Sequence, residues 1–284
     1  MRRFSDFYYQ VPDGLTLYAR DYPGPDDRAG CVLLMHGLTR NSRDFDVLAD
    51  RLSVHFRVLV PEQRGRGSSE WDSQPDRYGI PTYVNDMFEL LEAVGEEHVA
   101  AVGTSMGGLM AMVMNAMRPG VFTHVVLNDI GPELSKEGLD RISGYVGQGG
   151  IISTWEEAVA YNRAINAVAF PSLSDQQWGE FTRQLFGERN GAPFLDYDPA
   201  ISQAVRSDEG SALPPDLWSV YAQLESQPLM LIRGAISDLL DTDIKDRMIQ
   251  SIPDLLYLEV ADVGHAPMLI DDAVTEALEN FLLA

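Results

Sequence analysis

Residues 99–111 read VAAVGTSMGGLMA, and this stretch changes character in its middle. Its first four residues are β-branched or alanine, which is typical of a fully covered parallel strand, and the apolar segment that follows has the composition of a buried helix. Ser105 therefore lies on a predicted strand-to-helix turn. A turn this sharp strains the backbone and leaves little room for side chains, which accounts for Gly103 and Gly107 on either side of the serine. The alternative is a glycine-rich turn whose serine is incidental.

Around this turn, strand candidates alternate with helix candidates along the chain. The alternation predicts a mostly parallel, doubly wound α/β sheet with helices on both faces, preceded by an N-terminal hairpin. It fails between residues 131 and 227, where helical segments at 154–165 and 174–186 follow one another with no convincing strand. We therefore predict an α/β core formed by residues 1–130 and 228–284, with a helical cap inserted over residues 131–227. The predicted core strands after the hairpin are 31–35, 56–61, 98–103, 124–129, 228–234 and 255–260.

The composition narrows the class of protein. The chain has 284 residues, of which 45% are hydrophobic, enough for one large α/β domain with an insertion. With 21 basic and 43 acidic residues the formal net charge is −22, which argues against nucleic acid or an anionic membrane surface as a partner. We find neither a signal peptide nor a membrane span, and the single cysteine, Cys31, is interpreted as a small buried hydrophobe. These features predict a cytoplasmic protein.

A serine nucleophile needs a base within hydrogen-bond reach and a third group that orients the base. Among the five histidines, His265 fits best, because VADVGHAPML places it in a loop after the last predicted strand. That loop lies at the carboxyl edge of the sheet, where doubly wound folds keep their sites. His55 is expected at the surface, at the end of a predicted helix. The remaining histidines are interpreted as structural; they are His36, His98 and His124.

Two aspartates are candidates for the third group. Asp238 follows the predicted strand 228–234, and Asp129 follows the preceding strand. Either carboxylate could reach an imidazole at this edge of the sheet, and either could instead be a turn or cap residue. We favour Asp238, with Asp129 as the alternative.

The oxyanion that forms when a serine attacks a carbonyl needs preorganised donors. One predicted donor is the backbone N–H of Met106, immediately after the serine. The other is the backbone N–H of Leu38, because the loop HGLTRNSRDF turns at Gly37 directly after the strand 31–35. This assignment rests on position alone.

From about residue 10 to the C-terminus, the sequence resembles serine hydrolases of the α/β-hydrolase fold. The likeness rests on four pieces in order: His36-Gly37, the elbow at 103–107, Asp238, and Gly264-His265. The segment PEQRGRGSS also resembles the D-x-R-G-x-G-x-S loop of the family, with Glu62 where aspartate is usual. We interpret this loop as part of the scaffold.

The resemblance implies acyl transfer, in which Ser105 attacks, His265 moves the proton, and water releases the acid from an acyl-enzyme. The usual topology of the family favours Asp238 as the orienting acid, although some members carry the acid after the earlier strand, as Asp129 would be. We expect no cofactor and no metal, because the sequence has neither paired histidines nor an H-E-x-x-H motif.

Departures from relatives narrow the predicted substrate. A serine at the elbow argues against the haloalkane dehalogenases and epoxide hydrolases of this fold, which carry aspartate there. The loop after Gly37 lacks both the three-glycine run of some esterases and the H-G-x-G-P-G stretch of carbon-carbon bond hydrolases. We therefore expect a small-molecule carboxylic ester with a short to medium acyl chain, or a lactone. The alternatives are a carbon-carbon bond hydrolase of ring-cleavage products, a cofactor-free haloperoxidase or perhydrolase, and a ligand-binding receptor of the same fold.

Substrate choice is expected in the cap, because the sheet edge supplies only the common chemistry. Its aromatic residues predict an apolar pocket, with Tyr145, Trp155 and Trp178 as candidate lining residues. The alternative is that these side chains pack the helices of the cap against each other. The preferred ester and the oligomeric state are left open by the sequence.

Overall fold

A computed structural model describes residues 3–150, 152–206 and 216–284. Its strands are β1 (Ser5–Gln10), β2 (Thr16–Tyr22), β3 (Cys31–Met35), β4 (Arg57–Glu62), β5 (Val99–Thr104), β6 (Phe122–Asn128), β7 (Phe186–Arg189), β8 (Ala192–Leu195), β9 (Leu229–Gly234) and β10 (Leu256–Val260). Its α-helices are α1 (Asp46–Leu52), α2 (Ile80–Val94), α3 (Met106–Met117), α4 (Lys136–Tyr145), α5 (Trp155–Asn166), α6 (Asp175–Leu185), α7 (Ile201–Arg206), α8 (Leu217–Ala222), α9 (Thr242–Ser251) and α10 (Asp272–Leu282). Within those three ranges, no helix is long and apolar enough to cross a membrane.

The main sheet has eight strands in the order β1-β2-β4-β3-β5-β6-β9-β10. Strand β2 pairs antiparallel with both β1 and β4, and the other neighbouring strands are parallel. This arrangement confirms the predicted α/β class with its N-terminal hairpin. Because parallel strands run the same way, the loops that follow β5, β6, β9 and β10 all leave the sheet at one edge.

Strand β3 shows how the sheet divides the apolar core. All five of its residues are buried, as expected for a strand covered on both faces. Cys31, Leu33 and Met35 pack on one face with α2 and α3, whereas Val32 and Leu34 pack on the other face with α1 and α10. Alternate side chains of a strand point to opposite faces, so one apolar run contributes to both layers.

The segment between β6 and β9 is mostly helical, and it also contains an antiparallel hairpin of β7 and β8. The sequence-based expectation of no strand in this region was therefore wrong. The turn is Asn190-Gly191, with φ of 54° and 82° at its two residues, and Asn-Gly is the pair that favours such tight hairpins. Helix α8, at the end of the segment, packs against α3 of the core. The boundaries of the cap stay a prediction.

Candidate active site

Ser105 lies between the end of β5 and the start of α3, with φ of 53° and ψ of −116°. This conformation is strained for a residue with a side chain. The two glycines around it are required by space: a Cβ at Gly103 would lie 2.4 Å from the Gly107 carbonyl carbon, and a Cβ at Gly107 would lie 2.1 Å from the Met35 carbonyl oxygen. The predicted strand-to-helix turn is confirmed, and its glycines permit β5 and α3 to approach each other closely.

Ser105, His265 and Asp129 form one continuous chain of hydrogen bonds. The Ser105 Oγ lies 2.8 Å from His265 Nε2. On the other side of the ring, His265 Nδ1 lies 2.8 Å from Asp129 Oδ2. A carboxylate at Nδ1 holds the proton on that nitrogen and leaves Nε2 free to accept the serine proton. In this arrangement the imidazole can take the proton of the Ser105 hydroxyl while the Asp129 carboxylate holds its other nitrogen.

Asp129 is fully buried, and further donors fix its carboxylate. The Gly234 N–H donates to its Oδ1 at 2.8 Å, and the Ser237 hydroxyl donates to its Oδ2 at 2.6 Å. Both donors come from β9 and the loop after it, so the neighbouring strand holds the acid in place. Sequence reasoning did not single out Ser237, and its only sequence signal is its position between the strand and Asp238.

Asp238 does not contact His265, so the expectation that it orients the imidazole is corrected. Its two carboxylate oxygens accept hydrogen bonds from Arg141 of α4 at 2.5 and 2.9 Å. Partial burial opposes ionisation of Asp238, but the hydrogen bonds and charge of Arg141 outweigh it and lower the pKa of this carboxyl. Asp129 directly follows β6, which adjoins the serine strand, whereas Asp238 is four residues beyond the end of β9 and faces the cap.

The two predicted oxyanion donors, the N–H groups of Leu38 and Met106, belong to residues that line the same cavity as Ser105. Within the described ranges, neither N–H donates to another protein group. The Gly37 carbonyl oxygen lies 2.7 Å from His36 Nδ1. In a trans peptide the C=O and the following N–H point in opposite directions, so this contact turns the Leu38 N–H away from His36.

His36 is a buried neutral donor at this loop. The Gln63 N–H donates to its Nε2 at 3.1 Å, which leaves the ring proton on Nδ1, facing the Gly37 carbonyl oxygen. Burial lowers the pKa of His36 to about 3, so the ring stays uncharged. We therefore interpret His36 as a structural residue that orients the peptide carrying the Leu38 N–H.

Glu62, which stands where the family usually has aspartate, is buried beneath the same loops. Its carboxylate accepts hydrogen bonds from the Ser42 N–H, the Ser42 hydroxyl and the Ser68 N–H at 3.1, 2.7 and 2.6 Å. Burial raises the pKa of Glu62 despite these bonds. The contacts join the loop after β3 to the loop after β4, in keeping with the scaffold role inferred from the sequence.

A cavity of about 530 Å³ opens onto Ser105 and His265, between the sheet edge and the cap. Tyr145 lines it, as predicted. Trp155 and Trp178 do not: Trp155 lies under the Arg183 guanidinium at 4.2 Å, and Trp178 is buried beside Phe181 within the cap. For these two tryptophans the packing alternative holds, because each packs against a neighbouring side chain inside the cap. Apolar side chains make up much of the wall, including Leu109, Ile130, Leu134, Leu139, Ile142, Ile165, Phe170, Leu185 and Leu195.

Polar side chains that sequence reasoning missed also line this cavity. Arg40 donates to both carboxylate oxygens of Asp44 at 2.6 and 2.8 Å, and its guanidinium carbon lies 4.7 Å from the Phe181 ring centroid. Asn162 and Asn166 are one helical turn apart on α5 and are joined by a 2.7 Å hydrogen bond. Their i, i+4 spacing is a signal in the sequence, since such pairs share one helix face.

The comparisons with known proteins agree with this geometry. A family described as alpha/beta hydrolase fold matches residues 30–272. The chain is 34% identical to a 3-hydroxybutyrate-oligomer hydrolase from Cupriavidus necator, over 92% of this chain and 91% of that protein. It is 26% identical to a 2-(acetamidomethylene)succinate hydrolase from Mesorhizobium japonicum, over 88% and 87% of the two chains. A solved α/β hydrolase from Novosphingobium aromaticivorans superposes with a TM-score of 0.93, at 37% identity and 99% coverage of both chains.

The chain therefore belongs to the α/β hydrolase fold family, which confirms the resemblance inferred from the sequence. It is a hydrolase of this fold.

Proposed function

We propose that the protein is a serine hydrolase that cleaves carboxylic esters through an acyl-enzyme. The observation that carries the proposal is the hydrogen-bonded chain from Ser105 Oγ through His265 to Asp129, with both distances at 2.8 Å. This chain lies at the wall of a cavity whose volume is within the usual range for small-molecule sites.

The proposed reaction starts when His265 Nε2 takes the proton of Ser105 as Oγ forms a bond to the ester carbonyl carbon. The carbonyl oxygen becomes an oxyanion, which the N–H groups of Leu38 and Met106 are placed to bind. The carbon–oxygen bond to the alcohol then breaks, and the departing oxygen takes the proton from His265. Water then reacts with the acyl-enzyme: its oxygen bonds to the acyl carbon as His265 Nε2 takes its proton. The bond between the acyl carbon and Ser105 Oγ breaks, the acid is released, and His265 returns the proton to Oγ.

The proposed substrates are esters of short to medium acyl or hydroxyacyl chains. The mostly apolar wall favours an alkyl chain, while Arg40 and Tyr145 offer polar groups to a hydroxyl, carbonyl or carboxylate along that chain. The relative from Cupriavidus necator is named for hydrolysis of 3-hydroxybutyrate oligomers, which are esters of this type. We therefore include short oligoesters of 3-hydroxy acids among the candidate substrates.

The test is a substrate panel with wild-type protein and a Ser105→Ala variant. The panel contains aryl esters, lactones, a 3-hydroxybutyrate trimer, 2-(acetamidomethylene)succinate and a ring-cleavage dienoate. We expect ester turnover that falls on the order of 10⁶-fold in Ser105→Ala, with the fold intact, because the nucleophile is lost. Ser226→Ala, on the exposed surface, is the matched control and should keep wild-type turnover.

A fluorophosphonate should label wild-type protein once per chain and leave Ser105→Ala unlabelled. Labelling that persists in the alanine variant would exclude Ser105 as the nucleophile. Fast cleavage of the dienoate with negligible ester turnover would place the protein among carbon-carbon bond hydrolases instead.

A further inference from the structure

Arg66, in the loop after β4, is a fully buried arginine. Its Nε donates to the Leu38 carbonyl oxygen at 2.9 Å, and its Nη1 donates to the Arg64 carbonyl oxygen and the Tyr83 hydroxyl at 2.7 and 2.8 Å. Its Nη2 lies 3.8 Å from Met106 Sδ. Among the side chains that the structure describes, no aspartate or glutamate forms an ion pair with this guanidinium.

Arg64 provides an internal comparison two residues earlier. It is also buried, yet its guanidinium pairs with three carboxylates, Asp13, Asp72 and Asp86, at 2.7, 2.6 and 2.6 Å. A buried charge is costly unless it is paired. Among the described residues, Arg66 meets neutral hydrogen-bond acceptors and the rings of Tyr83 and Tyr78, whose centroids lie 4.8 and 5.8 Å from its guanidinium carbon.

Arg66 contacts the two residues whose N–H groups are the predicted oxyanion donors, Leu38 and Met106. Its side chain does not itself line the cavity. We propose that Arg66 is a positioning residue for the oxyanion site: it holds the Leu38 peptide in place and supplies positive charge behind both donors. The inference rests on the proposed function in one respect, namely that Ser105 attacks a carbonyl.

The geometry restrains the loop at two consecutive carbonyl groups. His36 holds the Gly37 oxygen and Arg66 holds the Leu38 oxygen, so the peptides on both sides of Leu38 have a fixed partner. Donors that are already oriented need no reorganisation when the oxyanion forms. In the buried setting of Arg66, a cation without a carboxylate partner interacts more strongly with that developing negative charge than a neutralised one would.

The test compares Arg66→Gln and Arg66→Lys with wild-type protein. The glutamine variant loses the charge, and the lysine variant keeps the charge but loses the planar group that reaches Leu38, Tyr83 and Met106 together. We expect Arg66→Gln to lower kcat by about 10- to 100-fold with KM changed less than about threefold, because the lost stabilisation belongs to the oxyanion and not to the bound ester. Arg66→Lys should recover part of the loss.

Two further measurements use probes that do not depend on the natural ester. The rate constant for labelling of Ser105 by a fluorophosphonate should fall in Arg66→Gln in proportion to kcat. The affinity for an arylboronic acid, which forms an anionic tetrahedral adduct with a serine, should fall by a similar factor. Arg57→Gln is the control: Arg57 bonds Asp21 and the Val94 carbonyl at the opposite end of β4, so its loss should leave these rates unchanged.

A folded Arg66→Gln variant with kcat, labelling rate and boronate affinity within twofold of wild type would overturn the proposal and make Arg66 purely structural. If Arg66→Gln does not fold, the same three measurements on Arg66→Lys test the proposal. Wild-type values of kcat, labelling rate and boronate affinity in Arg66→Lys would contradict a requirement for the contacts of the planar guanidinium. If wild-type Ser105 is labelled but no ester is cleaved, the proposed ester function fails, and the labelling rate still tests Arg66.

Discussion

The loops after β6 and β9 leave the same edge of the sheet, and each carries an aspartate close to the strand end, yet the two carboxylates have different partners. Asp129 is fully buried and meets backbone N–H, a serine hydroxyl and the His265 ring. Asp238 is partly exposed, and the Arg141 guanidinium of α4 occupies both of its oxygens. One carboxylate faces the imidazole, and the other joins the cap to the core.

The two carboxylates differ in the groups that compete for their oxygens. Neutral donors from Gly234 and Ser237 fix Asp129 without competing with His265 for its charge. A guanidinium binds both oxygens of a carboxylate at once, so Asp238 is already committed to another contact. Strand order adds to this effect, because β6 lies next to the serine strand and β9 lies one strand further away.

Among the tests of this comparison, the largest effect on kcat is expected when each aspartate is replaced by asparagine. Asp129→Asn should lower kcat by up to about 10⁴-fold, because an amide favours the wrong imidazole tautomer and removes the charge that stabilises the imidazolium. Asp238→Asn should retain kcat within about tenfold of wild type, because the Asp238 side chain does not contact His265. Turnover of both variants on the best ester, with circular dichroism as the check of folding, measures the contrast.

The opposite pattern, a nearly normal Asp129→Asn beside a crippled Asp238→Asn, would restore the assignment that the sequence favoured. Equal and moderate losses in both variants would mean that neither carboxylate alone orients the base.

A smaller effect on kcat is expected for Ser237, which is one hydrogen bond further from His265 than Asp129 is. Ser237→Ala removes the hydroxyl that donates to Asp129 Oδ2 at 2.6 Å. A hydrogen bond to a charged group contributes about 1.5–3 kcal/mol, so we expect kcat to fall by about 10- to 100-fold with KM nearly unchanged. Ser251→Ala is the control, since the Ser251 hydroxyl donates to the Met248 carbonyl within α9 and has no part in holding Asp129. A wild-type kcat in Ser237→Ala would show that the remaining donors hold Asp129 sufficiently.

The smallest expected effect is the change in the free energy of unfolding when Asp238 is replaced. Loss of the Arg141 pair in Asp238→Asn should lower the free energy of unfolding at pH 7 by about 1 kcal/mol or less, because the pair is partly exposed. The folded-state pKa of Asp238 lies below its usual value of 3.8, so its contribution is present above pH 3.8 and is lost as the pH falls through the lower, folded-state pKa.

Denaturant unfolding at several pH values should therefore show the difference between wild type and Asp238→Asn shrinking towards acid pH. Arg141→Met should lower the free energy of unfolding by a similar amount. The variant that combines Asp238→Asn with Arg141→Met should be at most a few tenths of a kcal/mol less stable than either single variant, because both changes remove the same ion pair. A difference that grows towards acid pH would contradict the ion-pair role.

Much of the fold follows from local signals. Apolar runs with strand or helix periodicity predicted every strand of the main sheet, and the glycines around Ser105 predicted the elbow because steric exclusion acts within a few residues. The hairpin at Asn190-Gly191 was missed although its turn signal was present, since the helical segments before it set the expectation for the region. The family resemblance then narrowed the chemistry to hydrolysis, which the comparisons confirm.

The sequence by itself thus determined the class of fold, the strained turn at Ser105 and the loop position of His265, because each depends on neighbouring residues. Only the tertiary structure decided which aspartate meets the imidazole, which aromatic residues line the cavity and what lies behind the oxyanion loop. Asp129 and His265 are 136 residues apart in the chain, and Arg66 is 40 residues from Met106. Such contacts depend on strand order and on competing partners such as Arg141, and neither leaves a periodic pattern in the sequence.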